Sequence, residues 1–392
     1  MNRTKVTVYF YGAFTPESDG CHARVCSLVD RLSETYKDVA VYSYDNHPDF
    51  PWTPANIAAF RKRWPNVELV LEPYTSKLKI LTRVKNLLIS VFPGSADRLL
   101  RLSVHGWSPE FDRLKSESQA VFVNYAHGLN QLNGVDPARC LVDTHDINFA
   151  KWAKLTNSSS VSTTSLRKLR GEIAALQTAS SVIAISPPEA AFFRMMLNGD
   201  DVFYVSSWAA PRILAEEVER AVPDIDLVFV GSGYSMNARG FCDMLEKHGS
   251  WLSRYKIAVC GLVCNDPDVI AAAERFPNVS LLGYVERPAD IYARSKAALS
   301  PVDGTGLKMK IMAALEAGIP AFASKQAFDG LPPGYEQAVF PISEASVANL
   351  LGNEQKLAAA RIAARNYHAT FNRTGEAKAV LDRLRLSEMP AF

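Results

Sequence analysis

The feature that most constrains this 392-residue chain is a long alternation of short β-rich runs with helical segments. In the first half the runs are "KVTVYF", "VAVYSY", "VELVLE", "AVFVNY", "CLVDT", "SVIAIS" and "VFYVS". The first segment between them, about 21–35, sets Val25, Leu28, Val29 and Leu32 on one helical face. The second half repeats the alternation with clearer punctuation. "DIDLVFVGSG" is a strand and glycine turn, "ARGFCDMLEKH" a helix, "KIAVCGL" a strand and "PDVIAAAERF" a helix. "VSLLGYV", "PADIYARS" and "AALSPV" follow, then the helix in "GTGLKMKIMAALEAGIP", then "AFAS" and "AVFPIS". One long helical stretch is expected over 344–371.

Strands alternating with helices predict parallel, doubly wound sheets. The boundary is expected near "SSWAAPRI", at 206–213, giving domains over 1–208 and 209–372, with 373–392 crossing back to the first. The expected architecture is α/β, with two Rossmann-like domains facing a cleft. Ligands of open α/β sheets bind beyond the carboxyl ends of the strands, so the cleft is the expected site.

Composition narrows the functional classes. Hydrophobic residues make up 48% and charged residues 21%, the profile of a globular protein. The formal charge of +2 carries no nucleic-acid signature. No signal peptide or stretch of 18 uninterrupted apolar residues is read, and six scattered cysteines fit a reducing, cytoplasmic setting. Region 61–115 stands apart, with eleven Lys/Arg against five acids. Within it "SKLKILTRVKNLLISVF" interleaves apolar and basic residues at helical spacing, so region 77–101 offers a surface for an anionic membrane, or packs on its own sheet.

The richest stretch is "PVDGTGLKMKIMAALEAGIP" at 301–320. Backbone N–H groups at a Gly-x-Gly turn and helix start face an incoming anion, and the helix dipole favours negative charge there. Asp303, Gly304, Thr305 and Gly306 form the turn, and Lys308 and Lys310 add positive charge in the first helical turn. Lysine at a helix start opposes the dipole, which favours an anionic ligand. Gly231, Ser232 and Gly233, followed by Asn237 and Arg239, make a second candidate anion loop.

Segment 279–320, with "LVFVGSGYSMNARGF" upstream, resembles the donor-binding half of retaining glycosyltransferases of the group 1, or family 4, type. The features shared are Gly283–Val285, Tyr292, Pro301, the glycine turn, Lys310 and Gly318–Pro320. "SDGCHARVCSLVDRL" and "LVDTHDINFAKW" extend the resemblance to the first half. It implies a GT-B fold and transfer of a sugar from a nucleotide-diphosphate donor to a saccharide or lipid-linked saccharide, with retention and without metal or other cofactor. It also implies that the leaving phosphate deprotonates the acceptor.

Carried over residue by residue, the resemblance puts the base near Gly283, Tyr284 and Val285 and the diphosphate on the glycine turn, Lys310 and Lys308. His145 lies by the donor sugar, with His127 its rival, and Gly20 and Arg24 begin the acceptor-side helix. The family's Glu-x7-Glu pair is replaced by Thr305 and Ala313. Glu316 is the expected substitute at the ribose and Asp303 at the sugar hydroxyls. A scaffold without catalysis, or an epimerase or hydrolase on the same fold, remain the alternative readings, and the expected location is cytoplasmic, peripheral at the inner membrane face.

Overall fold

In a computed structural model of the chain, each β-rich run of the first half becomes a strand: β1 (Lys5–Tyr9), β2 (Val39–Tyr44), β3 (Glu68–Glu72), β4 (Ser118–Asn124), β5 (Cys140–Asp143), β6 (Ser181–Ala184) and β7 (Val202–Tyr204). The structure describes residues 4–17, 20–197, 199, 201–208, 222–285, 287–302, 307–373 and 376–386. The chain divides into two units: Met1–Glu17, Cys21–Ala209 and Gly375–Phe392 form the first, Ser18–Gly20 and Ala210–Thr374 the second.

The helices of the first half are α1 (Gly20–Thr35), α2 (Pro54–Arg63), α3 (Ser76–Val91), α4 (Ala96–Arg101), α5 (Pro109–Glu117), α6 (Gly128–Gln131), α7 (Asn148–Leu155), α8 (Thr163–Leu176) and α9 (Pro187–Leu197). Local chemistry starts α2: Thr53 accepts from the Asn56 N–H, Asn56 Oδ1 accepts from the Thr53 N–H, and Pro54 presets the first turn. Val25, Leu28, Val29 and Leu32 are all fully buried, as their spacing on α1 requires.

The first sheet runs β3-β2-β1-β4-β5-β6-β7, all parallel. β1, β2 and β5 are buried along their whole length, as strands of a sheet covered on both faces must be.

The second unit holds β8 (Ile225–Val230), α10 (Ser235–Leu252), β9 (Ile257–Cys260), α11 (Pro267–Arg275), β10 (Val279–Gly283), α12 (Pro288–Ala293), β11 (Ser295–Ser300), α13 (Met309–Glu316), β12 (Ala321–Ala323), β13 (Val339–Pro341), α14 (Glu344–Leu351) and α15 (Glu354–Arg373). Its parallel sheet runs β10-β9-β8-β11-β12-β13. The single helix expected over 344–371 is two. Gly352 ends α14, and Asn353 Oδ1 accepts from the Lys356 N–H to open α15.

α16 (Ala377–Leu386) belongs to the first unit. Its Val380, Leu381 and Leu384 join the cluster that contains Val25, Leu28 and Phe122. The Glu376 N–H donates to Tyr204 O at 2.6 Å, anchoring the helix beside β7.

Both sheets reverse strand order at one point, between β1 and β4 in the first unit and between β8 and β11 in the second. Open α/β sheets bind ligands beyond the carboxyl ends of the strands at such a point.

Candidate functional site

In the second unit, Gly231 follows β8, and the next two strand ends fit against it. The Gly231 N–H donates to Cys260 O, the Gly261 N–H to Gly283 O, and the Val263 N–H back to Gly231 O. Gly261 holds φ +96°, and a Cβ there would meet Gly231 O at 2.2 Å. Only glycine fits this close approach. Gly283 has φ +72° and open space beside it, and Tyr284 follows, 55% exposed. Val285 is half-buried.

Asn237, in the first turn of α10, closes the loop. Its Nδ2 donates to Ser232 O and Oγ at 3.0 Å, and its Oδ1 accepts from Lys310 Nζ at 2.5 Å. Lys310 Nζ also lies 4.8 Å from the centroid of the Phe229 ring. Ser232, Asn237 and Lys310 therefore form one unit across the β8–β11 reversal, with Gly233 exposed at its edge. Burial, then repulsion from Lys308, lowers the Lys310 ammonium to about 7. Among the described residues its neighbours are the Asn237 amide oxygen and the Phe229 ring face. Lys308 is the residue before α13, half-buried, and does not cap the helix through its side chain.

One donor-side expectation is corrected. Arg239 lies on the outer face of α10, its side chain 84% exposed and 3.8 Å from Asp243. The helix that turns Asn237 inward carries Arg239 about 200° round, away from the loop. Glu316 is the last residue of α13. That helix crosses between parallel β11 and β12, so it runs back from the carboxyl edge, and Glu316 lies about 9 Å along its axis from Lys310. Asp303, Gly304, Thr305 and Gly306 lie outside the described residues.

In the first unit, two non-glycine residues at strand exits hold left-handed backbones: Tyr125 after β4 (φ 65°) and His145 after β5 (φ 58°). Such conformations are costly for residues with side chains and are held where surrounding structure enforces them. Here they bring the two rings into a stack at 4.4 Å, with His127 on Tyr125 at 5.3 Å. His145 is 7% exposed, and its Nε2 lies 2.8 Å from Asn124 Oδ1. Asn124 Nδ2 donates to Tyr9 O, which aims the amide oxygen at the imidazole and places a proton on Nε2. His127 is exposed at the same edge.

Arg24 is corrected from a ligand-facing residue to a core cation. It is 3% exposed, with Nε 2.9 Å from both Asp143 oxygens and NH1 3.2 Å from Ser206 O. Trp208 Nε1 donates to the same carboxylate at 3.0 Å. Gly20 is the first residue of α1.

Sequence reasoning also passed over Glu189, 4% exposed in the first turn of α9. Burial, then the charge of Asp146, pushes its carboxyl up to about 8, with Arg24 opposing. The folded state therefore holds a proton that the unfolded chain, at about 4.5, releases. Stability then falls as pH rises from about 4.5 to about 8, and Glu189→Gln removes that slope. Urea midpoints at pH 5 and pH 8 test it: the advantage of the variant widens with pH by on the order of 1–3 kcal/mol. An equal advantage at both values would mean that Glu189 is ionised throughout.

Among the described residues, no group of three His, Cys, Asp or Glu converges as a metal ligand set. What the geometry offers is a lysine held beside a glycine loop in one unit, and an oriented imidazole in the other. These stand on two Rossmann-like units, the GT-B architecture of glycosyltransferases. Residues 208–352 match the model of "Glycosyl transferases group 1", so the chain carries a group 1 glycosyltransferase domain and is a glycosyltransferase.

Solved structures show the same fold at low identity. Sucrose-phosphate synthase from Thermosynechococcus elongatus is 14% identical with a TM-score of 0.65, over 98% of this chain and 99% of that one. HepE from Anabaena, in complex with UDP and glucose, is 13% identical with a TM-score of 0.59, over 97% and 98%. WaaG, a glycosyltransferase involved in lipopolysaccharide biosynthesis, is 12% identical with a TM-score of 0.54, over 97% and 99%. No curated protein matches the sequence.

Proposed function

We propose that the chain moves a sugar from a nucleoside diphosphate donor to a saccharide or lipid-linked saccharide acceptor, with retention and without a metal. The observation that carries this reading is the Ser232–Asn237–Lys310 arrangement, set where the strand order reverses inside the group 1 domain. In this reading Lys310 and the glycine loop hold the diphosphate, and Gly283, Tyr284 and Val285 lie by the base. Charge that develops on the leaving diphosphate meets preorganised donors, the arrangement that lowers such barriers most. His145 lies by the sugar and donates from Nε2. The UDP in the HepE complex makes uridine the first base to try.

Calorimetry with uridine, guanosine, adenosine and thymidine sugar diphosphates tests the donor. One of them binds and is slowly hydrolysed without acceptor; binding by none overturns the reading.

The reading extends to a membrane surface. α3 exposes Ile80, Val84, Leu87 and Val91 beside Lys77, Lys79 and Arg83. Lys85, read as part of that basic face, instead points inward, fully buried, and donates to Leu132 O at 3.0 Å. The remaining face suits anionic headgroups at about 1 kcal/mol per basic residue. Among the described residues, no helix is long and apolar enough to cross a membrane. Co-sedimentation with anionic liposomes, weakening as salt rises, is the expected result. Equal sedimentation with neutral liposomes would leave α3 as an ordinary surface helix.

A further inference from the structure

A groove of about 540 Å³ lies within the first unit, walled by α3, α7, α8 and the β4 exit. That is the size of a small-ligand site. Three kinds of lining divide it. Leu87 from α3, with Trp152 and Leu155 from α7, forms an apolar wall, and Leu87 and Leu155 are 54% and 51% exposed. Arg167 and Lys168 from α8 stand exposed at the mouth, with the Lys168 ammonium 4.7 Å from the Trp152 ring. Polar groups line the β4 end.

At that end Asn130 is 7% exposed. Its Nδ2 donates to Asn86 Oδ1, and its Oδ1 is buried without a hydrogen-bond partner. A buried acceptor left this way costs about 1–3 kcal/mol, and a turn of the Asn130 side chain toward the groove it lines would let a sugar hydroxyl supply the missing donor. His127 lines the same end and stacks on Tyr125, which stacks on His145. The polar end therefore leads to the imidazole placed by the sugar in the transfer reading.

The charge of the lining is one-sided. Its single acid among the described residues is Glu172, whose oxygens accept the Asn148 and Phe149 N–H groups at 2.9 Å. Lys151 pairs with Asp146 at 2.6 Å, which leaves Arg167 and Lys168 to face the mouth. Two cations at the mouth beside an apolar wall, with a hydroxyl-seeking amide inside, describe an occupant with three parts. We infer that this groove seats the acceptor, and that the acceptor is a saccharide joined through a phosphate to a hydrocarbon chain. The inference rests on the transfer reading for the role of the occupant, while the groove itself is defined by the first unit alone.

The probe is dodecyl phosphate below its micelle concentration, titrated without donor and followed by calorimetry and by Trp152 fluorescence against Trp152→Phe. Dodecyl phosphate binds at least tenfold tighter than dodecyl maltoside, which has the same chain without charge, and tenfold tighter than inorganic phosphate. Arg167→Glu with Lys168→Glu, both on the exposed face of α8, weakens it at least tenfold, as does Leu155→Glu. Equal binding of the maltoside would reduce the groove to a detergent-adsorbing surface. Equal binding of inorganic phosphate would make it a free-anion site. Either result, no binding, or wild-type binding in the variants overturns the inference. A separate titration with UDP reads the donor unit, so loss of UDP binding with dodecyl phosphate retained would sink the transfer reading and leave the groove standing.

Discussion

Lys310→Ala lowers the turnover number by about 10²–10³, the usual effect of removing one preorganised donor from a developing negative charge. The loss falls on turnover more than on donor KM, because diphosphate charge grows as the sugar departs. The lowered ammonium adds a second signature. In the free protein Lys310 titrates at about 7, and a bound diphosphate raises it again. At pH 8 donor binding therefore takes up protons, approaching one per site, and at pH 5.5 it takes up almost none. Affinity falls as pH climbs past 7. Calorimetry of UDP in buffers of different ionisation enthalpy measures the uptake, and Lys310→Ala abolishes it. Wild-type turnover and proton uptake in that variant would remove Lys310 from the diphosphate site.

Asp143→Ala destabilises the first unit by about 3–5 kcal/mol, since it strands the Arg24 guanidinium and the Trp208 N–H in a dry interior. Urea unfolding, followed by tryptophan fluorescence, reads the shift. The double change Arg24→Met with Asp143→Leu recovers most of the loss, because the paired charges repay little more than the cost of burying them. A loss below about 1 kcal/mol in Asp143→Ala would show that water reaches the pair, as at exposed ion pairs. Arg24 would then regain a place among the ligand-facing residues.

These two residues also show how far the chain could be read before its fold was known. The place of Lys310 at a helix start was legible because the strand before it and the helix that carries it are local in the sequence. Arg24 was misread because its partner is 119 positions away, and no periodicity reports a pairing across a sheet. The strands were legible from alternation, since a buried parallel strand needs an apolar run whatever its neighbours are. Arg239 failed for a geometric reason: spacing placed it near the motif, and helix phase turned it away from the loop. Tyr125, His145 and Glu189 owe their properties to backbone strain or burial, which residue type alone does not encode. Asn130 belongs with them, since only the fold reveals that its oxygen is unpartnered.

The return of α16 to the first unit has a consequence for how the protein is made. Val380, Leu381 and Leu384 complete a core whose other members leave the ribosome some 170 residues or more earlier. While the second unit is being synthesised, the patch they cover stays open to water. Each such side chain is worth about 1.5–3 kcal/mol when buried. The nascent first unit is therefore both less stable and stickier than the finished one. The order of synthesis thus makes the closing of one unit wait upon the translation of the other.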